Sequence, residues 1–319
     1  MLKYICRRIL GAIPTLLAIS VVIFVLLAIA PTNPLGEMAS NPSITPEVRE
    51  NLRRSLGLDQ PVMVRYVKWL GSLLQGNFGY SFGSRSPVNE LIAQRLPATL
   101  WVIGGGYGLS LLLALPLGTL AAVKKGTWID ALMTTLAFVG FSLPTFFTGL
   151  LMILIFSVWL GWVPFIYSST LVVNSWSSFL ELVRQSVLPV TVLALFQSAV
   201  LMRFVRSAMA EELPQNYVRT ARAKGLGRSR VLGVHVLRNA SIPVITLVAL
   251  DIPSLFTGSL VLEQIFRIPG IGALLIDAIR RSDTPVVMAV AFIYAVLVVL
   301  FNLIADILYG WLDPRVRLG

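Results

Sequence analysis

One short stretch of this chain has the residue types and spacing of a docking element: Tyr217-Val218-Arg219-Thr220-Ala221-Arg222-Ala223-Lys224-Gly225. Pro214 near its start and Gly225 at its end delimit a helix. On that helix Tyr217, Val218 and Ala221 share one face and Arg219 and Arg222 another. A small, partly apolar face with a basic flank suits insertion into a groove of another protein. It equally suits a helix lying on a membrane with its arginines toward anionic lipid. The second residue of chemical interest is Asp251, an acid inside a long apolar run. An ionisable group there either lines a wet pathway, where it would meet a cationic group, or is satisfied by hydrogen bonds at a helix interface.

Little else offers chemistry. The single His235 leaves too few ligands for the usual zinc sites, and no HExxH occurs. Cys6, the only cysteine, can form no intramolecular disulfide, and its basic surroundings suggest a reducing compartment. No GxxxxGK[ST] is present, so the chain lacks the phosphate loop that holds ATP. Neither a nucleophile paired with a base nor a metal cluster is visible, which disfavours an enzyme.

The elements that must carry these residues are set by composition. Of 319 residues, 56% are hydrophobic and 13% charged, against about 25% charged in an ordinary soluble domain, and the excess apolar surface has to meet lipid. Six stretches reach or approach the roughly 20 apolar residues a spanning helix needs: 9–30, 98–123, 131–160, 186–202, 240–262 and 285–312. The predicted class is therefore an all-α polytopic membrane protein with six transmembrane helices and both termini on one side. The third stretch holds Pro144 and reads as one tilted or kinked span. The fourth is short and is extended by Arg203 and Arg206, whose stems can snorkel.

Charge sets the orientation. Lys3, Arg7 and Arg8, then Lys124 and Lys125, then the basic residues from Arg203 to Arg238, and finally Arg315 and Arg317, all fall on one side. The positive-inside rule makes that side cytoplasmic. The formal net charge of +11 is thus a topology signal, and nucleic-acid binding is not required to explain it. The apolar run after the basic N-terminus is longer than a cleavable signal and is followed by Pro31, so it is retained as the first span.

Three regions result: 1–30, a cytoplasmic start and first span; 31–97, an extracytoplasmic cap; and 98–319, a five-helix core with a cytoplasmic loop at 207–238. Within the cap the sequence predicts a helix over 46–56 with Thr45 as its N-cap, a second amphipathic helix over 62–74 after Pro61, and a loop over 77–86. A soluble partner can dock there, or the cap is an inert lid. Trp159, Trp162, Tyr167 and Trp176 read as interfacial aromatics of an outside loop spanning 161–184.

The run from Asn216 to Leu226, with His235-Val236-Leu237-Arg238-Asn239-Ala240 and Ile242-Pro243-Val244, resembles the permease subunits of bacterial peptide ABC importers, the family of dipeptide, oligopeptide, glutathione and nickel permeases. The resemblance continues through Glu263, Phe266, Pro269-Gly270-Ile271-Gly272, Asp283-Thr284-Pro285, Asn302 to Asp306 and Leu312-Asp313-Pro314-Arg315, and earlier through Leu56 to Pro61 and Gly76 to Ser81. It covers essentially the whole chain. It implies a bacterial inner-membrane subunit that pairs with a second homologous permease, two cytoplasmic ATP-binding subunits and an extracytoplasmic substrate-binding protein. ATP and magnesium would then belong to the partners, and no cofactor to this chain.

The resemblance also implies that Tyr217, Val218, Arg219, Ala221, Arg222, Ala223, Lys224 and Gly225 couple the channel to the ATPase, with Arg219-Thr220-Ala221 standing where other branches carry Glu-Ala-Ala. A self-sufficient secondary transporter is the alternative, although no internal repeat of the kind such proteins show is visible. Peptides are the expected cargo; glutathione and nickel chelates stay open.

Overall fold

The uninterrupted apolar run near the N-terminus makes the helix the only way to satisfy the backbone in lipid, and the chain is helical over Leu2–Ile29 (α1). The computed structural model describes residues 2–29, 47, 50, 59–168 and 171–312; apart from 47 and 50, the helix expected over 46–56 lies outside them. α2 (Val62–Leu74) starts where Pro61 accepts the amides of Val64 and Arg65 at 3.0 and 3.1 Å. It is followed by α3 (Val88–Val123), α4 (Trp128–Ser142), α5 (Thr145–Met152, continued by a π-helical stretch Ile153–Trp159), α6 (Trp176–Glu212) and α7 (Asn216–Ala223). α8 (Leu237–Ile265) is entered through Arg228–Arg230 and a π-helical stretch Val231–Val236, and α9 (Ile271–Arg280) and α10 (Thr284–Leu312) complete the chain. Among the described residues there is no strand, and the one β-bridge joins Tyr80 to Pro87. Among the described residues five helices are long and apolar enough to cross a membrane, and α4 with α5 makes a sixth span if the bent pair is counted as one.

Three features differ from the sequence reading, each for a local reason. The third stretch is not a kinked helix: α4 and the helix that begins at Thr145 meet at 97°. Leu143 precedes a proline and is driven out of the helical region to φ −85°, ψ 127°, and Pro144 then starts a new helix by accepting the amides of Phe147 and Thr148. α6 begins ten residues before the apolar run, because Ser175 and Ser178 form a reciprocal capping box. Tyr167 is no belt residue. It is buried, its amide donates to the Phe266 carbonyl at 3.1 Å, and it sits in a cluster with Leu188, Leu262 and Ile268, whereas Trp159, Trp162 and Trp176 are exposed.

The chain packs as two compact units that cut across its linear order: Ala98–Pro269 with the segment from Ile304, and Leu2–Pro97 with Gly270–Leu303. In the first unit α6 is the central helix, packed against α4, α5 and α8. α3 comes so close to α6 that a Cβ on Gly118 would meet the Val205 Cβ at 2.7 Å and the Met202 carbonyl at 2.8 Å, and one on Gly106 would meet Leu193 at 2.6 Å. In lipid, where helix association rests on van der Waals packing, small residues of this kind allow the backbones to approach.

In the second unit α2 lies against α1. Phe24 packs edge-on to Tyr66 with ring centroids 5.4 Å apart, Trp69 meets Phe292 of α10 at 6.1 Å, and the Ser20 and Tyr66 hydroxyls are 2.9 Å apart. Buried Asp283 accepts from the Ser81 hydroxyl at 2.5 Å and from the amides of Phe82 and Gly83, both at 3.1 Å. That carboxylate fixes the 81–86 loop, in which Arg85 adopts φ +56°.

Candidate functional site

The candidate docking element sits at the end of the first unit where α3 ends, α4 begins and α6 leads into α7. α6 stops at Leu213-Pro214, since a proline cannot continue the hydrogen-bond ladder. Gln215 is extended at φ −63°, ψ 150°, and α7 then runs for eight residues. It ends at Gly225, whose φ of +77° is the left-handed conformation that an amino acid with a Cβ rarely adopts. There the Gly225 amide donates to the Arg222 carbonyl at 2.9 Å.

The two faces of α7 have separate jobs. Val218 is fully buried and Ala221 nearly so. Both belong to a cluster made of Val205 and Met209 from α6, Val231 and Val236 from the π-helical stretch, and Ala240 and Val244 from α8. Tyr217 packs against the same cluster and donates its hydroxyl to Glu212 Oε2 at 2.6 Å. Burial, reinforced by this carboxylate, raises the Tyr217 hydroxyl above the ordinary tyrosine range.

The opposite face, with Asn216, Arg219, Thr220 and Ala223, is exposed, as are Lys224 and Gly225 at the C-terminal end. Arg222 is exposed like Arg219. It lines a cavity of about 760 Å³ together with Lys125 and Arg228.

The arm is braced at its base. Arg206 of α6 donates from Nε to Asp130 Oδ1 at 2.6 Å and from Nη2 to Oδ2 at 2.8 Å, while the Gly126 amide donates to Oδ2 at 3.0 Å. One buried carboxylate thereby holds the α3–α4 turn, the start of α4 and α6. Arg203 lies over the Phe138 ring at 4.8 Å. Neither arginine is merely snorkelling.

Asp251 lies in α8 and is half-buried. Gln197 of α6 donates its Nε2 to Oδ2, and Ser254 donates its hydroxyl to Oδ1 at 2.8 Å. Its partners are thus residues of the spans and not of the α7 loop. Among the described side chains of this stretch of α8, Leu250, Ser254, Gly258 and Val261 are exposed and recur at helical spacing.

The sequence reading missed three buried acids as structural nodes. Asp130 and Asp283 are described above, and Glu263 accepts from the Thr99 hydroxyl at 2.7 Å. The available signal was an acid placed at the edge of a span, where an unsatisfied carboxylate is costly.

Comparison with known proteins adds an independent line. The family model described as the binding-protein-dependent transport system inner membrane component matches residues 114–318. Its N-terminal companion matches residues 1–103. The chain is 44% identical to the oligopeptide transport system permease protein of Bacillus subtilis, over 99% of this chain and 100% of the relative. It is 40% identical to the di/tripeptide transport system permease protein of Pseudomonas aeruginosa, over 99% of both chains. It is 37% identical to the glutathione transport system permease protein of Escherichia coli K12, again over 99% of both.

Proposed function

Because this chain belongs to the family of inner membrane components of binding-protein-dependent transport systems, we propose that it forms half of a channel through which peptides or similar small solutes are imported. It is a multi-pass inner-membrane protein and a permease subunit of an ABC importer, a system that implies a substrate-binding protein and ATPase partners. The gradient-driven alternative raised by the sequence falls with that membership. The cargo proposal rests on the relatives, whose names specify oligopeptides, di- and tripeptides and glutathione, all of them peptides.

The rest of the assembly follows from the same reading. A second homologous permease completes the channel, two ATPase subunits bind ATP and magnesium, and this chain carries out no catalysis. The Lys124, Lys125 and Arg203–Arg238 side faces the cytoplasm, with both termini, in accord with the positive-inside rule.

The observation that carries the coupling role is the division of α7 into an anchored face and an open one. Tyr217, Val218 and Ala221 attach the helix to α6 and to the entry of α8, Gly225 makes the turn that closes it, and Arg219, Thr220 and Ala223 are left to face an ATPase. Arg222 and Lys224 flank that contact. A helix fixed to two spans at once moves with them, so displacement by the ATPase is passed into the bundle. ATP shifts the channel between two states only by binding one better than the other.

Asp251, with Gln197 and Ser254, is the candidate polar station on the pathway. Ser254 and Gly258, small and exposed on the same helix, leave space beside that carboxylate.

The test is purification of the C-terminally tagged chain from native membranes in mild detergent, with its companions identified by mass spectrometry. A second permease and ATP-binding subunits are the expected companions. A folded chain that purifies alone would overturn the assembly.

A further inference from the structure

The cavity beside α7 is lined by three cations and apolar side chains. Its cations come from three separate segments: Lys125 follows α3, Arg222 is on α7 and Arg228 begins the entry to α8. No carboxylate lines it, and none of the three cations has a hydrogen-bond or ion-pair partner among the described residues. The nearby acids are engaged or turned elsewhere: Asp130 is held by Arg206, Glu212 takes the Tyr217 hydroxyl, and Glu211 is not part of the lining. Between the cations the wall is apolar, with Val123, Leu213 and Leu232.

Three like charges around one concavity repel one another, and the repulsion is relieved by an anion placed between them. Location chooses the anion. Val123 and Leu232 are at the ends of spans, where the chain leaves the bilayer, so the cavity opens at the height of the headgroups. Basic pockets between spans on the cytoplasmic side are the recognised form of an anionic-headgroup site. A volume of about 760 Å³ lies within the range of small-ligand sites. The leucines and valine suit the glycerol and first methylenes of a lipid, which a free phosphate lacks.

We propose that this cavity binds the phosphate of an anionic phospholipid, of the phosphatidylglycerol class, and that the bound lipid holds α7 in its docking position through Arg222. This rests on the reading of α7 as the coupling helix and of its side as cytoplasmic. The lipid bridges α7 to the end of α3 and the entry of α8, so it stiffens the arm on the flank that the apolar cluster does not cover.

The experiment uses the whole importer in nanodiscs of phosphatidylcholine with or without phosphatidylglycerol, and compares wild type with the pair Lys125→Gln and Arg228→Gln, which leaves α7 untouched. Lipid retained on the permease is measured by native mass spectrometry, and ATP-driven uptake by the same complex in vesicles of the same two compositions. Each surface cation contributes to anionic-lipid binding, so the pair should lower phosphatidylglycerol retention on the order of tenfold and abolish the stimulation of uptake by that lipid. Arg219→Gln, on the open face, should retain the lipid as wild type does, and excess inorganic phosphate should not displace it. Equal retention in the paired variant, or displacement by inorganic phosphate, overturns the lipid site. Unchanged retention with loss of the ATPase from the paired variant assigns the cavity to the ATPase interface instead. Failure of the wild-type complex to hold any ATPase would sink the coupling reading itself, whatever lipid it retains.

Discussion

Asp130 and Arg206 form a two-pronged ion pair, Nε to Oδ1 at 2.6 Å and Nη2 to Oδ2 at 2.8 Å, across 76 residues of sequence. Asp130 is buried while Arg206 keeps 29% of its side chain accessible. Removing one partner leaves the other charge short of its hydrogen bonds. Solvent at Arg206 screens the loss below the several kcal/mol of a fully buried pair, to about 2 kcal/mol. Asp130→Asn and Arg206→Gln should each lower thermal stability in detergent by that amount, and the double variant should cost less than the sum of the two. Strict additivity would mean that the pair does not couple α4 to α6.

Gly118 and Gly104 are both on α3 and make opposite predictions. A methyl at Gly118 meets Val205 and the Met202 carbonyl under 3.0 Å, whereas one at Gly104 meets nothing within 4 Å. Gly118→Ala should destabilise by about 1–3 kcal/mol as the two helices are forced apart, and Gly104→Ala should be neutral or slightly stabilising. Thermal melts of the two variants side by side decide it, and equal melts would remove the close approach of α3 to α6.

Much of this framework was legible in the sequence. α1, α10 and the 62–74 helix stand where apolar runs, Pro61 and Pro285 place them, because length of apolar run and proline chemistry are local properties. What escaped is governed by partners or by short caps. Hydropathy reports contact with lipid, so it passed over the polar first ten residues of α6, which the Ser175–Ser178 box starts. It also passed over α9, whose Ile271, Leu274 and Ala278 are buried in a small cluster of their own unit. One face of α7 is apolar by its sequence, but nothing in the sequence says whether such a face meets another protein or, as here for Val218 and Ala221, the chain's own core.

Tyr217 provides a test by pH. Its hydroxyl is raised above the ordinary value by burial and by Glu212, so its contribution to stability is complete below the unfolded tyrosine pKa of about 10. It is lost as pH rises through the higher folded value. Tyr217→Phe should cost about 1 kcal/mol, constant from neutral pH to about pH 9. The gap to wild type should close only in stronger alkali. A gap that closes on acidification instead, near neutral pH, would show that the hydroxyl is not the group responsible.

Asp251 tests the pathway. Asp251→Asn keeps one of the two side-chain hydrogen bonds made with Gln197 and Ser254, and should fold normally. Loss of its charge should raise KM for peptides with a free amino terminus about tenfold, equivalent to roughly 1.4 kcal/mol, with little change for N-acetylated peptides. Equal uptake of both kinds by the variant and the wild type would leave Asp251 with only a packing role.

The central claim, that α7 is anchored by one face and docks with the other, is tested most directly by site-specific cross-linking in the purified complex. Cysteines are introduced one at a time at Val218, Arg219, Ala221 and Ala223, with Cys6 replaced by serine. The account predicts that Arg219→Cys and Ala223→Cys cross-link to an ATPase subunit with a yield that changes on ATP binding, and that Val218→Cys and Ala221→Cys do not. Cross-links from the buried pair, or none from the open pair in a complex that still hydrolyses ATP, would contradict it.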